Sequence, residues 1–95
     1  MIVSFRHKGL EWLFETGSTK GIKPEHKDRL ENILLMLHRA KALKDLQSSP
    51  GLGLHPLKGE WEDFWAVKVN KNWRVIFRFD EEQNEVSDVD YLDYH

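Results

Sequence analysis

Four places in this chain carry side chains able to grip a phosphate or move a proton. In Leu54-His55-Pro56-Leu57-Lys58-Gly59 a histidine and a lysine lie three residues apart. Pro56 disfavours helical backbone at the residue before it, so His55 is held extended. Gly59 permits a sharp turn directly after Lys58. Arg74 and Arg78 lie in Trp73-Arg74-Val75-Ile76-Phe77-Arg78-Phe79, where strand alternation puts both on one face with Ile76. Guanidinium groups stay charged and present a planar fork that matches phosphate oxygens. Lys68 and Lys71 add positive charge just before that strand. Asp93, Tyr94 and His95 then bring a carboxylate, a phenol and an imidazole together. Under strict alternation Asp93 and His95 share a face and Tyr94 points the other way.

This inventory suits cleavage of RNA without a metal or any other cofactor. A base removes the proton from a ribose 2′-OH, and the resulting oxyanion attacks the adjacent phosphate. Cations neutralise the growing charge, and an acid protonates the leaving 5′-oxygen. Histidine suits the acid or base role because its unperturbed pKa lies closest to neutral pH. A plainer reading pairs both arginines with the acids of the following strand, where each pair contributes about 0–1 kcal/mol. A metal site on His55, His95 and an aspartate is the weaker alternative, since no H-E-x-x-H spacing supports it. No Gly-rich phosphate loop or nucleophile elbow is present. His26 and His38 are expected on the exposed side of a helix, and His7 near the first strand, as structural or solvent-facing residues.

The elements that must position these groups can be read from periodicity. Ile2 to Phe5 reads as a short first strand. Leu10, Leu13 and Phe14 have helical spacing, with Gly17 as a left-handed cap. Pro24 suits the first turn of a second helix, whose buried stripe is Leu30, Ile33, Leu34 and Leu37, continued by Ala40 and Leu43. Leu35 and Met36 lie off that stripe. Ser48-Ser49-Pro50-Gly51 ends the helical half. Trp65, Val67 and Val69 alternate in one strand, and Asn70-Lys71-Asn72 turns into the strand that carries Arg74. A second turn leads to a last strand from about Val86 onward. Pairing of that strand inside the sheet would hold Asp93, Tyr94 and His95 in place. The expected fold class is α+β: a short N-terminal strand and a helical hairpin packed on one antiparallel sheet.

Composition bounds the alternatives. The 95 residues are expected to form one domain, residues 1–95, with a single modest core. The absence of cysteine excludes disulfides, thiolate zinc sites and thiol catalysis, and fits a reducing compartment. No signal peptide or membrane span is expected. Charge is unevenly spread. Residues 1–79 hold all fourteen Lys and Arg and nine acids, a net +5, while residues 80–95 hold seven acids, a net −7. That asymmetry predicts a basic face for a polyanion, with acids confined to one edge.

The motifs Ser4-Phe5-Arg6-His7-Lys8-Gly9-Leu10, Leu54-His55-Pro56-Leu57-Lys58-Gly59, Asn70-x-Asn72-Trp73-Arg74 with its alternating strand, and Asp90-Tyr91-x-Asp93-Tyr94-His95 together resemble the HigB branch of the RelE/ParE superfamily of toxins from bacterial toxin–antitoxin modules. The resemblance covers almost the whole chain. It implies a RelE-like microbial RNase fold and a cytoplasmic, ribosome-dependent endoribonuclease that cuts translated messenger RNA in the A site. The implied catalytic residues are His55, Lys58, Arg74, Asp93, Tyr94 and His95, with Lys68, Lys71 and Arg78 contacting RNA and no metal. The implied partners are a HigA-type helix-turn-helix antitoxin, the 70S ribosome with its messenger RNA, and operator DNA reached only through the antitoxin. An alternative is a weakly active or inactive toxin serving mainly as an antitoxin-bound co-repressor. A gyrase-directed role, as in the ParE branch, is disfavoured by the intact His55–Lys58 and terminal motifs.

Overall fold

Leu10 and Leu13 are buried on α1 (Lys8–Thr16), and Leu30, Ile33, Leu34 and Leu37 are buried on α2 (Lys27–Arg39). These stripes form one side of the main core. The structure is a computed structural model and describes residues 1–93. His7 caps the start of α1, its Nδ1 accepting the Leu10 N–H at 3.2 Å. Gly17 ends the helix in the left-handed region (φ 77°), and its N–H donates to the Leu13 carbonyl at 2.9 Å. Pro24 opens a 3₁₀ turn, Pro24–His26, that runs straight into α2.

The α2 stripe predicts a helix continuing to Leu43, but the helix stops at Arg39. Ala40 turns extended (ψ 132°) while staying buried. Asp45 is the physical reason. Its Oδ2 accepts the N–H groups of Lys41 at 3.0 Å and Ala42 at 3.2 Å, offering the backbone a competing set of bonds. A short helix α3 (Leu43–Gln47) follows and brings Leu46 into the core.

The sheet has four antiparallel strands in sequence order: β1 (His55–Pro56), β2 (Trp65–Lys68), β3 (Trp73–Asp80) and β4 (Glu85–Asp93). Val67, Val75, Phe77, Val86, Val89 and Tyr91 face the helices. Phe77 is fully buried at its centre, and its truncation to Ala would cost about 3–5 kcal/mol. On the opposite face a smaller cluster of Leu57, Phe64, Ala66 and Ile76 is covered by Trp61 and Leu92.

The first residues do not form a continuous strand. They lie parallel to the outer edge of β4 through two bridges, Ile2–Val86 and Phe5–Val89. Val86 exchanges hydrogen bonds of 2.8 Å with Met1 and Val3, and Val89 bonds Ser4 and Arg6. Between the pairs Ile76–Asp90 and Arg78–Ser87 the register shifts by one residue. Asp88 adopts φ 53° there, and its N–H donates to Ser4 Oγ at 2.9 Å. It is a β-bulge tied down by the N-terminal segment.

The His7 cap makes stability depend on pH. Partial burial lowers the His7 pKa below the ordinary histidine value of about 6.5, partly offset by the Asp90 carboxylate. The unfolded chain therefore binds this proton first, so the contribution is complete above about pH 6.5 and is lost as pH falls below it. Urea midpoints measured from pH 7.5 to 5.5 should drop. In His7→Asn, which keeps a capping oxygen without a titrating ring, the drop should shrink. An identical drop in the variant would show that other groups cause it.

Candidate functional site

Antiparallel partners share a sheet face, and the register gathers several of the candidate residues. His55 pairs with Ala66, Ala66 with Ile76, and Lys68 with Arg74. His55, Lys68 and Arg74 therefore lie on the face away from the helices, around the small apolar cluster of Leu57, Phe64, Ala66 and Ile76. Two strand spacings, roughly 10 Å, separate β1 from β3, which leaves room for a phosphodiester between His55 and Arg74.

His55 has a defined tautomer. Its Nδ1 lies 3.0 Å from the Gly53 carbonyl, which can only accept. In the neutral ring Nδ1 thus carries the proton and Nε2 presents its lone pair. Lys58 is exposed where the backbone leaves β1 for a 3₁₀ turn, Gly59–Trp61. Arg74 is half-buried, and its guanidinium is drawn over the turn between β2 and β3. Nη1 donates to the carbonyls of Asn70 at 2.6 Å and Trp73 at 3.0 Å. Lys71 is exposed at the tip of that turn.

Arg78 shares the face but has a different setting. Its guanidinium lies 3.7 Å from Asp88 of the following strand, the kind of partner the plainer reading expects. It also lies 3.5 Å from Asp63 in the turn before β2, which that reading does not include, and 5.7 Å from the centre of the Phe64 ring. Arg6 stacks on the same ring at 5.7 Å and on Trp61 at 5.5 Å. A broad depression beside Arg78 is lined by Asp63, Asp80, Glu81 and Glu82, an unfavourable place for a phosphate. Asp93 is exposed and pairs with Trp73, one residue out of phase with Arg74. Tyr94 and His95 lie outside the described residues. Among the described residues no three His, Asp or Glu side chains gather in a way that could hold a metal ion. No helix among them is long and apolar enough to cross a membrane.

The expectation that His26 sits on an exposed helix face is corrected. His26 is buried at 6% exposure, beside the equally buried Tyr91. The 3₁₀ turn after Pro24 points it inward, against the rings of Trp73 and Tyr91. Its Nδ1 is hydrogen-bonded to the Tyr91 hydroxyl, and its Nε2 to the Asn70 amide at 2.9 Å. Burial raises the Tyr91 pKa above its usual value, with a hydrogen bond to the Lys23 backbone opposing and the Glu25 carboxylate adding to the shift. His38 is also engaged, its Nδ1 accepting the Ile2 N–H at 3.2 Å. From α2, Arg29 donates to the carbonyls of Lys68 at 2.7 Å and Gly51 at 2.9 Å, which fixes the end of β2. Sequence reasoning missed His26, Asn70 and Arg29. The Asn70-x-Asn72 turn was the available signal for Asn70.

Residues 3–95 match a family described as the RelE-like toxin of type II toxin–antitoxin system HigB. The chain is 39% identical over 95 residues to Endoribonuclease HigB of Proteus vulgaris, covering all of both chains. It is 30% identical over 99 residues to Toxin HigB-1 of Vibrio cholerae, covering 100% of this chain and 98% of that protein. The fold is similar to that of a YoeB/ParE toxin from Agrobacterium tumefaciens, with TM-score 0.57 and 14% identity over 99% of this chain and 96% of that one.

The buried bonds of His26 can be tested through Tyr91. In Tyr91→Phe the ring packing against Trp73 is kept, but Nδ1 of a buried imidazole loses its partner. We expect a loss of about 1–3 kcal/mol in urea unfolding. An unchanged midpoint would show that the hydroxyl bond adds nothing.

Proposed function

The chain belongs to the HigB-like toxins, the RelE-like toxins of type II toxin–antitoxin systems, and from this we propose that it is an endoribonuclease that cuts translated messenger RNA in the ribosomal A site. The relative from Proteus vulgaris is named an endoribonuclease. The observation that carries the reading is the shared sheet face of His55, Lys68 and Arg74, with the His55 ring pinned so that Nε2 presents a lone pair.

On this reading Arg74 and Lys58 stabilise charge at the scissile phosphate. His95 is the first choice for the acid or base, and His55 the second. The base takes the 2′-OH proton, the 2′-oxygen bonds to phosphorus, and the P–O5′ bond breaks as the leaving oxygen is protonated. The products are a 2′,3′-cyclic phosphate and a 5′-hydroxyl. Asp93 orients a histidine, and Tyr94 stacks on or positions a base. Lys68 and Lys71 hold the RNA backbone. Arg78 contributes less, because two carboxylates already face it. The partner is a HigA-type antitoxin that carries the complex to operator DNA, and the protein acts in the cytoplasm.

Purified protein should be added to translating ribosomes and to naked messenger RNA, and the new 5′ ends mapped. We expect cuts in phase with the A site, 5′-hydroxyl ends and no cuts on naked RNA. Arg74→Ala should cut on the order of 10²-fold more slowly while keeping its circular dichroism spectrum. Absence of cuts from protein that still binds antitoxin would favour the co-repressor role.

The acidic turn after β3 should face away from ribosomal RNA. It lies seven residues from Arg74, about 24 Å along an extended strand. A photocrosslinker at Lys71 should capture RNA and one at Gln83 should not. Capture from Gln83 would refute this orientation.

A further inference from the structure

We propose that His26 is a positioning residue for Arg74, acting through the Asn70 side chain across the turn between β2 and β3. The proposal rests on the reading that Arg74 works at the phosphate. It assigns the aim of that guanidinium to a histidine on the other side of the sheet.

The hydrogen bonds fix each direction. Asn70 Oδ1 accepts the N–H groups of Asn72 and Trp73, both at 2.9 Å. The carboxamide therefore turns its NH₂ toward His26, where Nδ2 lies 2.9 Å from Nε2. An amide nitrogen only donates, so Nε2 accepts. The neutral ring then carries its proton on Nδ1 and donates it to the Tyr91 oxygen. Both ring nitrogens are thereby used, and the imidazole cannot flip without losing both bonds. The same Asn70 residue offers its carbonyl to Arg74 Nη1 at 2.6 Å. The path from the core to the guanidinium is one side chain and one residue of backbone.

Asn70, Lys71 and Asn72 are exposed, so the turn has little packing of its own. Its bonds to Asn72 and Trp73 are local and move with it. The bond to His26 connects it to a buried group on α2's leading turn. An apolar residue at position 26 would fill the site without burying polar atoms, which cost free energy unless paired. A displacement near 1 Å at a catalytic group can lower rates by about 10²-fold, so a fixed turn matters more to Arg74 than to the fold.

Three variants separate positioning from folding. His26→Phe keeps apolar bulk and severs the bond from inside. Asn70→Ser keeps a short oxygen for the turn but cannot reach His26. His26→Gln places an acceptor near the position of Nε2. The first readout is the ¹H–¹⁵N signal of the Arg74 Nε–H group, with Arg39 and Arg78 as internal references. We expect it to shift or broaden in His26→Phe and Asn70→Ser, with the references unmoved, and to recover in His26→Gln. On translating ribosomes kcat should fall about tenfold in the first two variants with KM little changed, and recover in the third. An unchanged Arg74 signal in Asn70→Ser, or wild-type kcat in folded His26→Phe, overturns the proposal. If His26→Phe fails to fold, Asn70→Ser alone decides. If the wild-type protein cuts no RNA, the endoribonuclease reading fails, while the Arg74 signal still decides the positioning.

Discussion

β4 is hydrogen-bonded along both edges through its first half, and the placement of the candidate groups depends on that. On one side it follows β3 from Asp80–Glu85 to Trp73–Asp93, and on the other it carries Met1 to Arg6. Pairing on both sides removes the freedom that a hairpin ending in open solvent would have. It also holds the bulge at Asp88, because the bulged N–H is taken by Ser4. β3 then lies between β2 and a strand that cannot slip, so Arg74 is fixed in register with Lys68 on one side and Leu92 on the other. A slip of one residue would turn Arg74 toward the helices and expose Val75.

The sheet separates two tasks by face. Its helix side buries Phe77, Val75 and Tyr91 and carries most of the packing. Its other side has a floor of four buried apolar residues, enough to exclude water beneath the polar groups at its rim. The two sides meet at the turn of residues 70–72, where a buried histidine and a half-buried arginine bond the same asparagine. Packing made on one face can therefore set geometry on the other.

What could be read from sequence followed the range of the forces involved. The caps at Gly17 and the alternation through β2 and β3 are local, so residue type and spacing revealed them. The end of α2 at Arg39 was hidden because Asp45 competes for the backbone from five residues beyond Ala40. His26 was misplaced because its burial comes from Trp73 and Tyr91, far along the chain and invisible to helical periodicity. On β4 the bulge at Asp88 breaks the count, so Val86 and Val89 face the same core and parity counted from Val86 fails. The shared face of Arg74 and Ile76 was legible, whereas the pairing of Arg78 with Asp63 joins a loop and a strand and required the fold.

The uneven charge has an effect that distance decides. The cations of Lys68, Lys71 and Arg74 sit at one end of the β3–β4 hairpin, and the acids of residues 80–85 at the other. At physiological ionic strength exposed charges are screened over about 8 Å. The roughly 24 Å of strand between these ends spans several such lengths. Asp93, paired with Trp73, lies at the Arg74 end, so the acids are not confined to one edge; those of the turn do little to weaken a phosphate held at Arg74. They act only on nucleic acid that approaches their own end. The net charge of −2 is thus a poor guide to affinity, and the segregation instead favours approach of a polyanion with the Arg74 end leading. Raising salt would weaken that steering and the contacts at the basic end together, since both rest on the same few cations.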